Sequence, residues 1–190
     1  MINVEARHAR PRIIHQNSSQ QIEQIATKSG FAKSERHLHL LGLTNSMIGP
    51  RLSITTRMRE ISKGQLCLRL NTVNFSFGAH KTDIYIERKY HRSSCAYRTI
   101  LAHEREHVAI NDQVISDFMP VLKNELKAHA NSILPRLTRN PDTAGKSMVN
   151  RLLLEMKPVI DKFRKKREAA NDVIDTDQAY ANTQKKCKDW

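Results

Sequence analysis

The sequence is poor in aromatic residues and has no long apolar run. Phe, Trp and Tyr make up 5% of its 190 residues, and the basic clusters at residues 162–167 and 185–188 lack the interleaved aromatic side chains on which single-strand nucleic-acid binders stack bases. No apolar run is long enough to span a bilayer, and the first thirty residues lack the apolar core of a signal peptide. We therefore expect no transmembrane segment, and a cytoplasmic location is open because no signal peptide is visible.

Cysteine is also scarce. The three cysteines, Cys67, Cys95 and Cys187, allow one disulfide and leave one thiol over. Their wide spacing resembles no zinc-finger pattern. In an oxidising compartment we expect a disulfide between Cys67 and Cys95, whereas in a reducing compartment both side chains are expected to be buried thiols.

Basic residues, by contrast, are abundant. The chain has 32 Lys and Arg against 19 Asp and Glu, a net charge of +13. This charge predicts attraction to polyanions such as nucleic acid, lipopolysaccharide or acidic lipid, and it carries no information about the fold. Hydrophobic residues make up 39% of the chain, which is enough for a modest core.

The first fifty residues are polar and basic and carry few structural signals. We expect residues 1–50 to form a flexible or partly helical segment and residues 51–190 to form the domain. A short helix is predicted from Ser18 or Ser19 to Lys28. His37 and His39 fall on one face of an extended stretch, where surface histidines are expected more often than metal ligands.

The most specific pattern is the HExxH motif at residues 103–107. Residues four apart share one face of a helix, so His103 and His107 can present two imidazole nitrogens to one Zn²⁺, with Glu104 beside them as a candidate general base. The segment is predicted to be helical on independent grounds, because Ser93 or Ser94 can cap it and apolar residues recur every seven positions. The motif therefore indicates metallopeptidase chemistry.

The residues around the motif predict an α+β fold. Period-two alternation predicts strands at residues 52–56 and 66–77, followed by a turn at residues 78–81 and a returning hairpin strand at residues 83–87. The motif helix is expected to run to about residue 134, and a second long helix is expected over residues 143–170. The expected architecture is a small antiparallel sheet packed on the HExxH helix and followed by a long helical hairpin, as in zincins.

A catalytic zinc site needs a third protein ligand and an open water position. If the helical hairpin turns near residue 140, a rise of about 1.5 Å per residue in both helices returns residues 172–177 to the level of the motif. Asp175 and Asp177 both arrive at this level. Asp175 is the preferred third ligand, and Tyr180 is a candidate hydrogen-bond donor to an oxyanion. Five other residues remain alternatives as the third ligand: His80, His91, Asp112, Asp117 and Glu155.

The order of Cys67, paired strands, Ser94-Cys95 and the HExxH helix resembles a bacterial family of predicted secreted zinc-dependent proteases, over roughly residues 51–115. The family pattern closes with an Asp–Thr motif near the C-terminus, to which Asp175-Thr176 is similar, although the His-Gly that follows it in the family is absent. The resemblance implies a zincin-like fold, a zinc cofactor and export to the periplasm or the medium.

Two functions follow as hypotheses. The first is a zinc metallopeptidase that hydrolyses a peptide or protein substrate, with Zn²⁺ held by His103, His107 and Asp175 and with Glu104 and Tyr180 as catalytic residues. The alternative is a basic protein that binds nucleic acid or the cell envelope and whose zinc site is structural or inactive. Metal content and hydrolysis distinguish them.

Overall fold

The computed structural model describes residues 1–30, 40–188 and 190. Within that part of the chain the protein is mixed α/β, with five strands and four helices. The elements in chain order are β1 (Ile2–Arg7), β2 (Pro11–Ile14), α1 (Ser19–Lys28), β3 (Gly42–Ser62), β4 (Gln65–Ile86), α2 (Cys95–Asn131), β5 (Arg136–Thr138), α3 (Pro141–Asp172) and α4 (Asp177–Gln184). His37 and His39 lie outside the described residues.

The sheet is organised around β4, the strand with which each of the other four pairs. β1 and β2 run parallel to β4, whereas β5 runs antiparallel to it. The expectation of a purely antiparallel sheet is therefore wrong. The two parallel strands come from the N-terminal segment, which was expected to be flexible or partly helical, and their backbone groups are satisfied by β4 instead of by water. The predicted helix α1 is present at the expected residues.

The predicted turn at residues 78–81 is also wrong, because β4 continues through it. Gly78 has a φ of +143° and lies opposite Arg7 of β1, whose carbonyl would clash with any Cβ at this position. Glycine here permits a close approach of two strands and not a reversal of the chain. The reversal occurs at Lys63 and Gly64, where Gly64 adopts a φ of +72°.

By its internal contacts the chain divides into two compact units. Unit 1 comprises Met1–Arg7, Gly49–Gly78 and Ile115–Lys166; unit 2 comprises His8–Ile48, Ala79–Val114 and Arg167–Trp190. The division of the chain into residues 1–50 and 51–190 stays a prediction. No described helix is both long enough and apolar enough to cross a bilayer.

Unit 1 contains the C-terminal half of α2 and most of α3. Phe163 of α3 packs edge to face on Phe77 of β4, with ring centroids 4.8 Å apart, and also contacts Phe118 of α2. Further along α2, His129 lies 2.9 Å from Glu155 of α3. Residue numbers rise along α2 as they fall along α3, so the two helices are antiparallel here and form the predicted hairpin.

Unit 2 packs the start of α2 against the end of β4. Ile84 and Ile86 of β4 are fully buried in one cluster with Tyr97 and Ile100 of α2. Within this unit Cys95 is joined to Cys187 by a disulfide, and Cys67 is a free thiol. The expected pairing of Cys67 with Cys95 is therefore wrong. The C-terminal segment returns to the first turn of α2, a long-range approach that cysteine spacing does not reveal.

Candidate metal centre

Helix α2 presents the motif histidines from one face. Its first turn is capped by Ser94, whose hydroxyl accepts the Tyr97 backbone N–H at 3.0 Å. The side chains of His103 and His107 lie one turn apart, and their Nε2 atoms are 3.2 Å from each other. Sequence spacing alone predicted this juxtaposition, and the structure brings the two nitrogens together as expected.

Asp175 meets both histidines. Its Oδ1 lies 3.1 Å from Nε2 of His103 and 3.2 Å from Nε2 of His107. Asp175 belongs to the turn between α3 and α4, and Thr176 caps α4 by accepting the Ala179 N–H. The cap fixes the backbone immediately after Asp175, which holds the carboxylate toward α2. Within the described chain, these three residues are the one group of at least three His, Cys, Asp or Glu side chains arranged to hold a metal ion.

A chain of amides orients His107. Asn171 donates its amide N–H to the Arg167 carbonyl and to Oδ1 of Asn111, at 2.8 and 3.2 Å. Its own Oδ1 is therefore left as an acceptor, and Nδ1 of His107 donates to it at 2.7 Å. In the neutral imidazole this tautomer leaves the lone pair on Nε2, the nitrogen that faces Asp175.

Glu104 is held on the side of α2 that faces the start of β3. It is 5% exposed, and its Oε2 accepts the Thr44 hydroxyl at 2.8 Å. The residue two before Thr44 is Gly42, and a Cβ there would come within 2.6 Å of Oε1 of Glu104. A larger residue at Gly42 would displace the carboxylate, so β3 both leaves room for Glu104 and fixes its orientation.

Tyr180 of α4 lies beside His103. Its ring centroid is 5.6 Å from that of His103, and its hydroxyl is 3.4 Å from Oδ1 of Asp175. Burial, followed by the negative charges of Asp175 and Glu104, raises the pKa of Tyr180 well above its usual range. The phenol therefore remains protonated at neutral pH, and its hydroxyl donates a hydrogen bond to Asp175.

Burial and mutual interactions shift the pKa values of His107, Asp175 and Glu104. Burial alone would lower the pKa of His107, but its hydrogen bond to Asp175 and the negative charges of Glu104 and Asp175 outweigh burial and raise the pKa to about 9. Burial would raise the pKa of Asp175, but hydrogen bonds and charges from both histidines lower it below its usual range. Glu104 has a raised pKa because it is buried.

Comparisons with protein-family models, with curated proteins and with solved structures find no match for this chain. The resemblance to a family of secreted zinc-dependent proteases stays an expectation from the sequence. What the site can do is inferred from its own residues.

The other candidate ligands have different partners. Asp112 pairs with His8 at 2.8 Å, and His91 contacts the Ser93 hydroxyl at 2.7 Å. Glu155 belongs to unit 1, where it pairs with Arg151 and His129. His80 and Asp117 are not in the described metal-ligand group.

Three residues of the site were missed by the sequence reading: Thr44, Asn111 and Asn171. Asn111 follows His107 by four positions on the same helix face, so the spacing 103, 107 and 111 was a usable signal. Nothing in the sequence marks Thr44 or Asn171, because only the fold brings β3 and the end of α3 to α2.

Proposed function

We propose that this protein is a zinc-dependent metallopeptidase of the HExxH type with a zincin-like site. The observation that carries the proposal is the triangle of donor atoms from His103, His107 and Asp175. Its edges measure 3.1, 3.2 and 3.2 Å. Tetrahedral Zn²⁺ with ligands at about 2.0–2.1 Å has ligand-to-ligand distances of about 3.3–3.4 Å, so small shifts would suffice for binding.

The chemistry of the donors supports zinc over the alkaline-earth cations. Two imidazole nitrogens and one carboxylate form a site of the kind that takes Zn²⁺, whereas Mg²⁺ and Ca²⁺ favour oxygen ligands only. His107 also has its second nitrogen hydrogen-bonded, as metal-ligating histidines generally do. Three protein ligands leave a fourth position for water, which is the composition of a catalytic site and not of a closed structural one.

In this proposal several protein side chains each have a separate role in peptide hydrolysis. When bound, zinc supplies a water of lowered pKa and polarises the scissile carbonyl. The Glu104 carboxylate accepts the proton of the attacking water and then donates it to the leaving nitrogen. The Thr44 hydroxyl holds that carboxylate through Oε2, and the protonated Tyr180 hydroxyl donates a hydrogen bond to the developing oxyanion.

The test is metal content followed by hydrolysis. We expect about one zinc per chain in the purified protein, removed by a chelator and restored by added zinc. A library of quenched-fluorescence peptides should be cleaved by the zinc-loaded protein and not by the Glu104→Gln variant. A protein that binds no zinc, or that cleaves equally well after Glu104→Gln, would refute the proposal.

A second candidate is a polyanion-binding protein in which zinc only stabilises the fold. The distribution of charge favours it, because unit 1 carries 17 Lys and Arg against 7 Asp and Glu, a net +10, while unit 2 carries 15 against 12, a net +3. Zinc bound without hydrolysis of any peptide would support this candidate. Binding of a polyanion by unit 1 is compatible with either role of zinc, since the residues of the metal centre belong to unit 2.

A further inference from the structure

Most of the net charge of the chain, +10 of +13, belongs to unit 1, which contains none of the residues of the metal centre. Part of it forms a row on β3. Residues 51–57 alternate between exposed and half-buried, with Arg51 and Arg57 on the exposed side. Ile54 on the other side packs against the buried Leu68 cluster. The arginine side of β3 is therefore the face of the strand turned away from the core.

The row continues onto the end of the β3–β4 hairpin. Every residue from 57 to 64 is exposed, including Arg59 and the turn residue Lys63, and Arg69 of β4 is exposed as well. Arg57, Arg59, Lys63 and Arg69 make no ion pair with another residue in the part of the chain that the structure describes. One nearby carboxylate, that of Glu60, accepts the backbone N–H of Gly64 at 3.1 Å and so supports the turn.

Large apolar side chains are exposed among these charges. Met58 and Ile61 on the hairpin are 59% and 56% exposed. Leu137 of β5, which lies opposite Cys67 at the start of β4, is 63% exposed. Exposed apolar side chains that lie close together mark interaction sites. Here Met58 lies between Arg57 and Arg59 in the sequence, and Ile61 is two residues from the turn residue Lys63.

We propose that the end of this hairpin, together with β5, docks on an anionic lipid bilayer surface. The charge is complementary to acidic headgroups, and each Lys or Arg near such a surface contributes to binding. Met58, Ile61 and Leu137 would enter the boundary between headgroups and acyl chains, as the apolar side of an interfacial segment does. The phosphate backbone of a nucleic acid has no apolar surface to bury these side chains, and no aromatic residue lies among them to stack on bases.

The experiment is sedimentation of the zinc-loaded 190-residue protein with vesicles. We expect binding to vesicles that contain phosphatidylglycerol, little binding to pure phosphatidylcholine vesicles, and weaker binding at high salt. Arg57→Gln with Arg59→Gln should weaken binding by about 25-fold, at about fivefold per charge. Ile61→Ser and Leu137→Ser should each weaken it by about tenfold without changing the net charge.

The matched control removes two charges elsewhere on unit 1. Lys165→Gln with Lys166→Gln changes two exposed residues of α3, which are not part of the hairpin or of β5, and it should leave vesicle binding within about twofold. Equal losses in the two double variants would mean that net charge alone is responsible and would overturn the proposal. So would unchanged binding of the folded serine variants, or arginine-dependent binding to duplex DNA that prevails over binding to vesicles.

Discussion

The replacement Asp175→Asn tests the metal centre most directly. It keeps the volume of the side chain and removes the negative charge that faces Nε2 of both His103 and His107. Mutation of groups that only orient zinc ligands costs about 10–100-fold in metal affinity. Loss of a ligand should cost at least as much, so we expect the zinc dissociation constant to rise by about 100-fold or more.

The same loss of zinc affinity can be measured as a loss of thermal stability. With saturating zinc, a 100-fold loss of affinity removes about 2.7 kcal/mol of metal-linked stabilisation. For a chain of this size about 1 kcal/mol shifts the melting temperature by about 2–4 °C. The rise in melting temperature that zinc produces in the unsubstituted protein should therefore shrink by about 5–11 °C in the variant. Competition with a chromophoric chelator gives the affinity, and differential scanning calorimetry gives the shift.

Two variants serve as controls for Asp175→Asn. Asp177→Asn makes the same chemical change at an exposed carboxylate two residues further along, and Glu155→Gln removes the carboxylate that pairs with Arg151. Both should retain zinc affinity within about twofold of the original protein. If either control variant loses zinc while Asp175→Asn retains it, then Asp175 is not the third ligand.

Three further predictions concern the same unit. Glu104→Gln should retain zinc and the fold and lose hydrolysis, and loss of zinc from this variant would instead mark Glu104 as a ligand. The pKa of His107 is raised from 6.5 to about 9 in the metal-free protein, so its contribution to stability is fully present below pH 6.5 and is lost as the pH rises through about 9. Zinc uptake near pH 7.5 should therefore release about one proton. Calorimetry in buffers of different ionisation enthalpy measures this release, and its absence would contradict the prediction. Replacing Cys95 and Cys187 by serine removes a crosslink that spans 92 residues and should lower the free energy of unfolding in urea by about 4–5 kcal/mol, whereas an unchanged midpoint would show that the crosslink does not form.

The sequence predicted the helices better than the sheet. Helix α1 begins and ends where the capping serine and Gly30 indicate, and α2 and α3 are as long as the apolar repeats predict despite Pro120 and Pro158. The turn predicted at Gly78 is absent because a glycine that permits two strands to approach closely gives the same sequence signal as a glycine that permits a turn. The parallel strands β1 and β2 carry no signal of their partner, since pairing with β4 joins residues about seventy apart.

Local sequence by itself determined the part of the candidate site that lies on one helix. The spacing of His103 and His107 places two imidazoles on one face whatever the rest of the chain does, because the helical period is fixed by backbone geometry. Helix lengths also predicted the level at which Asp175 returns. Tertiary structure decided the rest: that the Asp175 carboxylate turns toward both histidines, that Asn171 and Thr44 fix His107 and Glu104, and that Cys187 pairs with Cys95. Those contacts join residues 60 to 92 positions apart. Many pairs of residues at such separations could come into contact, and the packing of the whole unit decides which pairs do. No local sequence pattern encodes that packing.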